Sequence, residues 1–187
     1  MGKNKRRVLE VFDAKHGKNL EVDSQEEVEF VKWLNEATSL GIVKDFEYQP
    51  KPFKLSGPAH YNDGKKVRSL FREHVYTADF ILYVDSTKNP SLARELKLSD
   101  SIKDNGDTKA YYIDIKGGFM SNGSARSFPI NQKWVYEKFH VYVHKLIPKD
   151  FFKEFGIPEE LQFTEKTKKP SKKYAGYPLI KDIAKGN

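Results

Sequence analysis

The chain has 187 residues and is 38% hydrophobic, with thirteen Phe, ten Tyr and two Trp; this suffices for one hydrophobic core and argues against wholesale disorder despite 32% charged residues. Its net charge is +7 and its pI about 9.3, with Lys and Arg gathered in "GKNKRR" (2–7) and "KTKKPSKK" (166–173), so a polyanion, nucleic acid first, is the expected partner. The lack of Cys excludes disulfides, thiolate zinc sites and a Cys nucleophile, while the lack of any membrane-length apolar run or secretory signal predicts a soluble cytoplasmic protein with no membrane partner.

Along the chain, "SQEEVEFVKWLNEATSLG" from Ser24 sets Phe30, Val31, Leu34 and Ala37 at helical spacing, with Gly41 where a C-terminal cap would fall. "IVKDFEYQPKPFKL" (42–55) alternates and is broken by Pro50 and Pro52, which predicts a strand, a bend and a second strand. "GPAHYNDGKK" (57–66) reads as a loop with an Asn-Asp-Gly turn, "VYTADFILYV" (75–84) as one strand, and the polar stretch 85–108 as a loop or short helical excursion. The chain returns to the core through "KAYYIDIKGG" (109–118). A Gly/Ser-rich loop, a short helix over 131–139, a strand over 140–148 and a helix over 148–156 opened by Pro148 follow, and no internal repeat is present.

The strand "YYIDIKGG" carries the chemistry. Side chains alternate across a strand, so Ile113 and Ile115 face one side while Tyr112, Asp114 and Lys116 face the other. A buried Asp–Lys pair could simply neutralise itself, but desolvating both ends is expensive and stabilises little. Asp79 lies in the other strand of similar character, among Tyr76, Ala78, Phe80 and Ile81. Two carboxylates on neighbouring core strands repel unless a cation lies between them, and an all-oxygen donor set points to Mg2+ or Mn2+. Beside such an ion, Lys116 could polarise a water or stabilise charge on a phosphate.

An acid in one strand, Asp-x-Lys in the next, and a preceding helix that carries a Glu resemble the PD-(D/E)XK, or restriction-endonuclease-like, nuclease superfamily. "DSQEEVEFVKWL", "IVKDFEYQPKPFKL", "YTADFILYV" and "YYIDIKGG" are similar, over roughly residues 20–147, to its phage-type Holliday-junction-resolvase-like group. The chain departs from the pattern in the long insertion between Asp79 and Asp114 and in Ala78, which stands where the family name has Pro. The resemblance implies an α/β fold with an αβββαβ core, its mixed central sheet flanked by helices. Both basic ends fall outside it, which divides the chain into a basic N-terminal arm (1–19), a nuclease domain (20–160) and a basic C-terminal tail (161–187).

The resemblance implies further that Asp79 and Asp114 hold a divalent metal with the backbone carbonyl of Ile115, that Lys116 positions the attacking water, and that Glu27 is the helix acid at the metal. Glu27 also fits a capping box with Ser24, although its spacing from Phe30, Val31 and Leu34 faces it inward; Glu26 is its substitute if the helix begins one residue away. The implied activity is Mg2+- or Mn2+-dependent hydrolysis of DNA phosphodiester bonds to 5′-phosphate and 3′-hydroxyl ends, in the host cytoplasm if the chain is phage-encoded. Branched DNA is a candidate substrate, and a homodimer would supply the two sites that junction resolution needs. The alternative is a nuclease fold that binds nucleic acid without cutting it. Gln49 falls near the site in such enzymes and equally reads as a strand-end Gln before Pro; Lys133 and Arg126 could meet a phosphate but read first as solvated loop charges; Gly117 and Gly118 would allow close approach of a backbone or only let the strand turn. His140 and His144, apart on a strand, read as structural or surface residues.

Overall fold

The computed structural model describes residues 8–96, 108–117 and 122–185. In chain order the strands β1 (Leu9–Asp13) and β2 (Lys18–Val22) lead to helix α1 (Gln25–Ser39), followed by β3 (Asp45–Tyr48), β4 (Phe53–Ser56), β5 (Ala59–Asn62), β6 (Val67–Phe71), β7 (His74–Tyr76) and β8 (Phe80–Asp85). After them come α2 (Pro90–Glu95), β9 (Thr108–Ile115), α3 (Asn122–Phe139), β10 (Val143–Leu146), α4 (Pro148–Phe155) and α5 (Ile180–Lys185). The "GKNKRR" cluster, Gly118 and most of the 85–108 insertion lie outside the described residues.

The central sheet has the order β10-β9-β8-β3 and is mixed: β10 runs parallel to β9, and the other pairs are antiparallel. Its elements follow one another in the chain as α1, three strands, α3 and a fourth strand. One face is covered by α1 and α4, whose Phe30, Trp33, Leu34, Phe151 and Phe152 pack with Phe46, Phe80, Leu82 and Ile113 in the main core. Phe30 stacks on Trp33 at 5.7 Å between ring centroids and meets Phe80 edge-on at 5.3 Å. The other face carries a smaller cluster in which Phe128 and Val135 of α3 meet Leu55, Tyr76, Ala78 and Val143.

Helix α1 starts and stops where its sequence directs. Ser24 is extended and its hydroxyl accepts the Glu27 N–H at 3.2 Å, while Gly41, at φ +72°, takes the left-handed conformation that ends the helix. Three segments differ from the sequence expectation. Residues 75–84 are not one strand: β7 pairs with β4, β8 pairs with β9, and Asp79 sits in the break between them. Residues 59–71, expected as a loop, form the β5–β6 ribbon around the Asn-Asp-Gly turn. Helix α3 begins well before residue 131 and runs through Pro129, which forfeits one backbone N–H.

Neither terminal region is a mere appendage. The β1–β2 hairpin buries Val11, Leu20 and Val22 in the main core, so the folded body begins before residue 20. Beyond residue 161 the chain returns across α1. Tyr174 and Ile180 are buried, Leu179 bridges Ile157, and Lys173 Nζ lies 2.7 Å from both carboxylate oxygens of buried Glu29. Among the described residues no helix is long and apolar enough to cross a membrane.

The return of the tail depends on Gly156, which ends α4 at φ 76°, ψ 162°. A Cβ there would stand 2.5 Å from the Ile180 nitrogen in a conformation that only glycine adopts readily. Gly156→Ala should therefore cost roughly 2–4 kcal/mol in urea unfolding; a cost below about 0.5 kcal/mol would show that the tail does not close tightly on α4.

Candidate functional site

The site forms where β8 and β9 end. Their register ends at Phe80 opposite Ile113, and Asp79, one residue beyond in the break, reaches the Asp114 end of β9 through its bond to the Ile115 N–H. Ile113 and Ile115 bury themselves in the main core, which turns Asp114 to the opposite face. There Asp114 is only 3% exposed. The Tyr76 hydroxyl donates to its Oδ2, and Lys116 Nζ ion-pairs with its Oδ1 without hydrogen-bond alignment, leaving that buried oxygen with no hydrogen bond. Lys116 also lies 5.7 Å from the Phe128 ring centroid.

Asp79 is fixed from two sides. Its Oδ2 accepts the Ile115 N–H at 2.6 Å, and its carbonyl accepts the Gln49 N–H at 2.8 Å. Burial pushes its carboxyl up to about 6; Lys116 works against that shift, and the charge of Glu27 adds to it. Burial pulls the Lys116 ammonium down, against the opposing charges of Asp79 and Glu27. Lys145, in register beside Asp114 on β10, adds to the lowering.

Glu27 keeps both of its sequence readings. Ser24 Oγ donates to its Oε1 at 2.7 Å, the Asp23 N–H to its Oε2 at 3.3 Å, and the Tyr48 hydroxyl to Oε2 at 3.0 Å. The residue therefore closes a cap, and it does so while buried close enough to Asp79 and Lys116 to shift both. Glu26 points at the strand end as well: a Cβ on Gly117 would lie 3.1 Å from its Oε1. Gln49, at φ 45°, donates from Nε2 to the Tyr48 hydroxyl at 3.1 Å, which links it to Glu27 through one side chain.

Glu27, Asp79, Asp114 and Lys116 are thus brought to one end of the sheet. Ile115 enters through its amide, which holds Asp79. Lys133 is exposed on α3, and the Arg126 side chain lies outside the described residues. His140 follows α3 at φ 55°, off the strand, and His144 is buried on β10 with its ring 4.9 Å from Tyr142. Two tyrosines that the sequence reading passed over belong to the site, Tyr48 on Glu27 and Tyr76 on Asp114. Their signal was an aromatic hydroxyl three residues before Asp79 and another beside Gln49.

Among the described residues no group of three or more His, Asp or Glu side chains could hold a metal ion. The donors that suit a hard cation are the two carboxylates, Asp79 and Asp114; Asp114 Oδ1 has no hydrogen bond among the described residues and is ion-paired with Lys116. Two carboxylates, completed by water and phosphate oxygens, are a usual protein contribution to Mg2+. No family model, curated protein or solved structure matches the chain.

The Asp79 carboxyl gives a stability test with a definite sign. Its ordinary value of 3.8 applies unfolded and about 6 applies folded, so the folded state holds the proton more tightly and loses stability as pH rises through 4 to 6. In metal-free buffer Asp79→Asn, which can still accept the Ile115 N–H, should be more stable than the parent at pH 7.5 by about 1–3 kcal/mol and indistinguishable at pH 4. A difference that does not change with pH would contradict the buried carboxylate.

Proposed function

We propose that the chain is a Mg2+- or Mn2+-dependent endonuclease of the PD-(D/E)XK type that hydrolyses DNA phosphodiester bonds. The observation that carries this reading is the convergence of Asp79 and Asp114 on the end of β9, with Lys116 ion-paired to Asp114 and one buried Asp114 oxygen free of hydrogen bonds among the described residues. Lys116 neutralises that oxygen in the metal-free chain, and no hydrogen bond would have to be given up for it to meet a cation. The succession of α1, three strands, α3 and β10 around the sheet agrees with the core that the resemblance implies.

In this reading Asp79 and Asp114 would hold the metal, whose chemistry there would be to neutralise phosphate charge and to make a bound water more acidic. The chain's own residues provide the positioning. Tyr76 holds Asp114 Oδ2, so Oδ1 faces the site; the Ile115 amide orients Asp79; Glu27, held by Ser24 and Tyr48, adds negative charge at the helix end. Lys116, less basic than an ordinary lysine, sits where it can orient a water or meet a phosphate oxygen. On the exposed stretch of the C-terminal segment, Lys166, Lys168, Lys169 and Lys172 would meet flanking backbone, whereas Lys173 is engaged by Glu29. A homodimer and a cytoplasmic setting belong to the same proposal.

The test is cleavage of supercoiled plasmid and of a four-way junction with Mn2+. Asp114→Ala and Lys116→Ala should each lower the rate at least about 100-fold. Mn2+ should raise the melting temperature of the parent by several degrees and leave that of Asp114→Ala unmoved. Cleavage that survives Asp114→Ala removes the catalytic assignment. Metal stabilisation without cleavage leaves the non-cutting nucleic-acid-binding fold.

A further inference from the structure

Exposed large apolar side chains concentrate on one feature outside the site, the β5–β6 ribbon. Both strands are solvent-exposed over nearly their whole length, and Tyr61, Val67, Leu70 and Phe71 show 48, 68, 62 and 51% of their surface. Exposed strands of this composition invite association, so a use for the ribbon is expected.

The register shows which side chains share a face. Ala59 opposes Phe71 and Tyr61 opposes Arg68, while Ala59 and Tyr61 lie two residues apart on one strand. Tyr61, Arg68 and Phe71 therefore form a single stripe, a guanidinium beside two aromatic rings. The ribbon is also strongly basic. Residues 54–75 hold five Lys and Arg against one Asp and one Glu. Both acids are occupied, Asp63 by Arg68 and by the turn amides of Lys65 and Lys66, and Glu73 by Lys54 at 3.2 Å. Lys65 and Lys66 stand exposed at the tip and Arg72 near the root.

The root leads directly to the site. Beyond Arg72 the chain enters β7, whose Tyr76 donates to Asp114. Phe71 is thus five residues from the hydroxyl that holds the carboxylate, at most about 17 Å of extended chain. Rings interleaved with cations suit unpaired bases, which offer π-faces to stack on and phosphates to neutralise. A second copy of the ribbon would bring the same positive charge, which opposes self-association through this surface.

We propose that the β5–β6 ribbon is an arm that stacks unpaired nucleotides on Tyr61, Arg68 and Phe71, directing the site to nucleic acid with a single-stranded segment within about five nucleotides of the cut, at 3.4 Å per nucleotide. The binding half stands on the ribbon alone; the cleavage preference rests on the nuclease reading above.

The experiment measures fluorescence anisotropy in EDTA with a labelled forked oligonucleotide and a blunt duplex of equal length. Tyr61→Ala/Phe71→Ala should weaken forked binding about tenfold or more and blunt binding less than about threefold, with an unchanged melting temperature because both rings are exposed. Tyr61→Lys/Phe71→Lys adds charge while removing the rings, so it should strengthen blunt binding and abolish the preference for the fork. No loss, equal loss on both probes, or a parent dimer that the double Ala variant converts to monomer in light scattering would overturn the arm. Mn2+ cleavage of the same probes separates the two proposals. A parent that favours the fork through the ribbon but cuts nothing keeps the arm and ends the nuclease reading; fork cleavage undiminished in the double Ala variant keeps the nuclease and ends the arm.

Discussion

Asp79 and Asp114 are both brought to the end of the β8–β9 pair, where two full charges at about 5 Å would repel by roughly 3 kcal/mol at an effective dielectric of about 20. The fold meets that repulsion with three groups from different places: Lys116 two residues along the same strand, the Ile115 amide, and the Tyr76 hydroxyl. The compensation is incomplete. Burial still pushes the Asp79 carboxyl up to about 6 and pulls the Lys116 ammonium down, so both charges are held where they are stabilised less than in water.

The surrounding backbone is arranged to keep this convergence. The chain leaves the β4 ladder after Tyr76 and joins β9 at Phe80, and the short break between lets Tyr76 and Asp79 both reach β9. Gln49 takes a left-handed conformation to bring its amide onto the Asp79 carbonyl, tying the end of β3 to the break. Helix α1 carries two buried acids with separate duties. Glu27 looks to the sheet end, and Glu29, nearly opposite around the helix, is neutralised by Lys173 and by the Tyr174 hydroxyl at 2.5 Å. Burial and the Glu29 charge raise the Tyr174 phenol, so it stays a donor and the latch persists at ordinary pH. The C-terminal segment in this way braces the helix that supplies Glu27.

Elements with one buried face and local punctuation were legible in the sequence. The Ser24 cap, Gly41, the alternation of "YYIDIKGG" and Pro148 at the start of α4 each mark what they mark because the signal and the structure share one cause. The β5–β6 ribbon was not legible, because period-two alternation reveals a strand only when one of its faces is buried, and here neither is. The break at Asp79 was hidden because Val75 to Val84 is apolar on both sides of it, and which partner strand each half joins depends on pairings distant in sequence. The C-terminal segment read as a basic tail because its lysines outweigh Tyr174 and Ile180, which are buried through contacts beyond the segment's own sequence. Of the site, the acids and Lys116 were legible as charges set in apolar sequence, whereas Tyr48 and Tyr76 look in sequence like any other core aromatics.

The hydrogen bonding of the three acids separates roles that sequence alone leaves equal. Glu27 already accepts from Ser24 Oγ, the Asp23 amide and Tyr48, so recruiting it as an inner ligand would forfeit the bonds that cap α1. Asp114 keeps one buried oxygen without a hydrogen bond, and Asp79 is held by a single amide that leaves its other oxygen outside any bond to Ile115. Within the proposed metal site, Asp79 and Asp114 would therefore be the direct donors, and Glu27 would act through water or through its field. The cap and the site role of Glu27 do not compete, since the cap is what fixes the carboxylate at the distance from which its charge acts on Asp79 and Lys116.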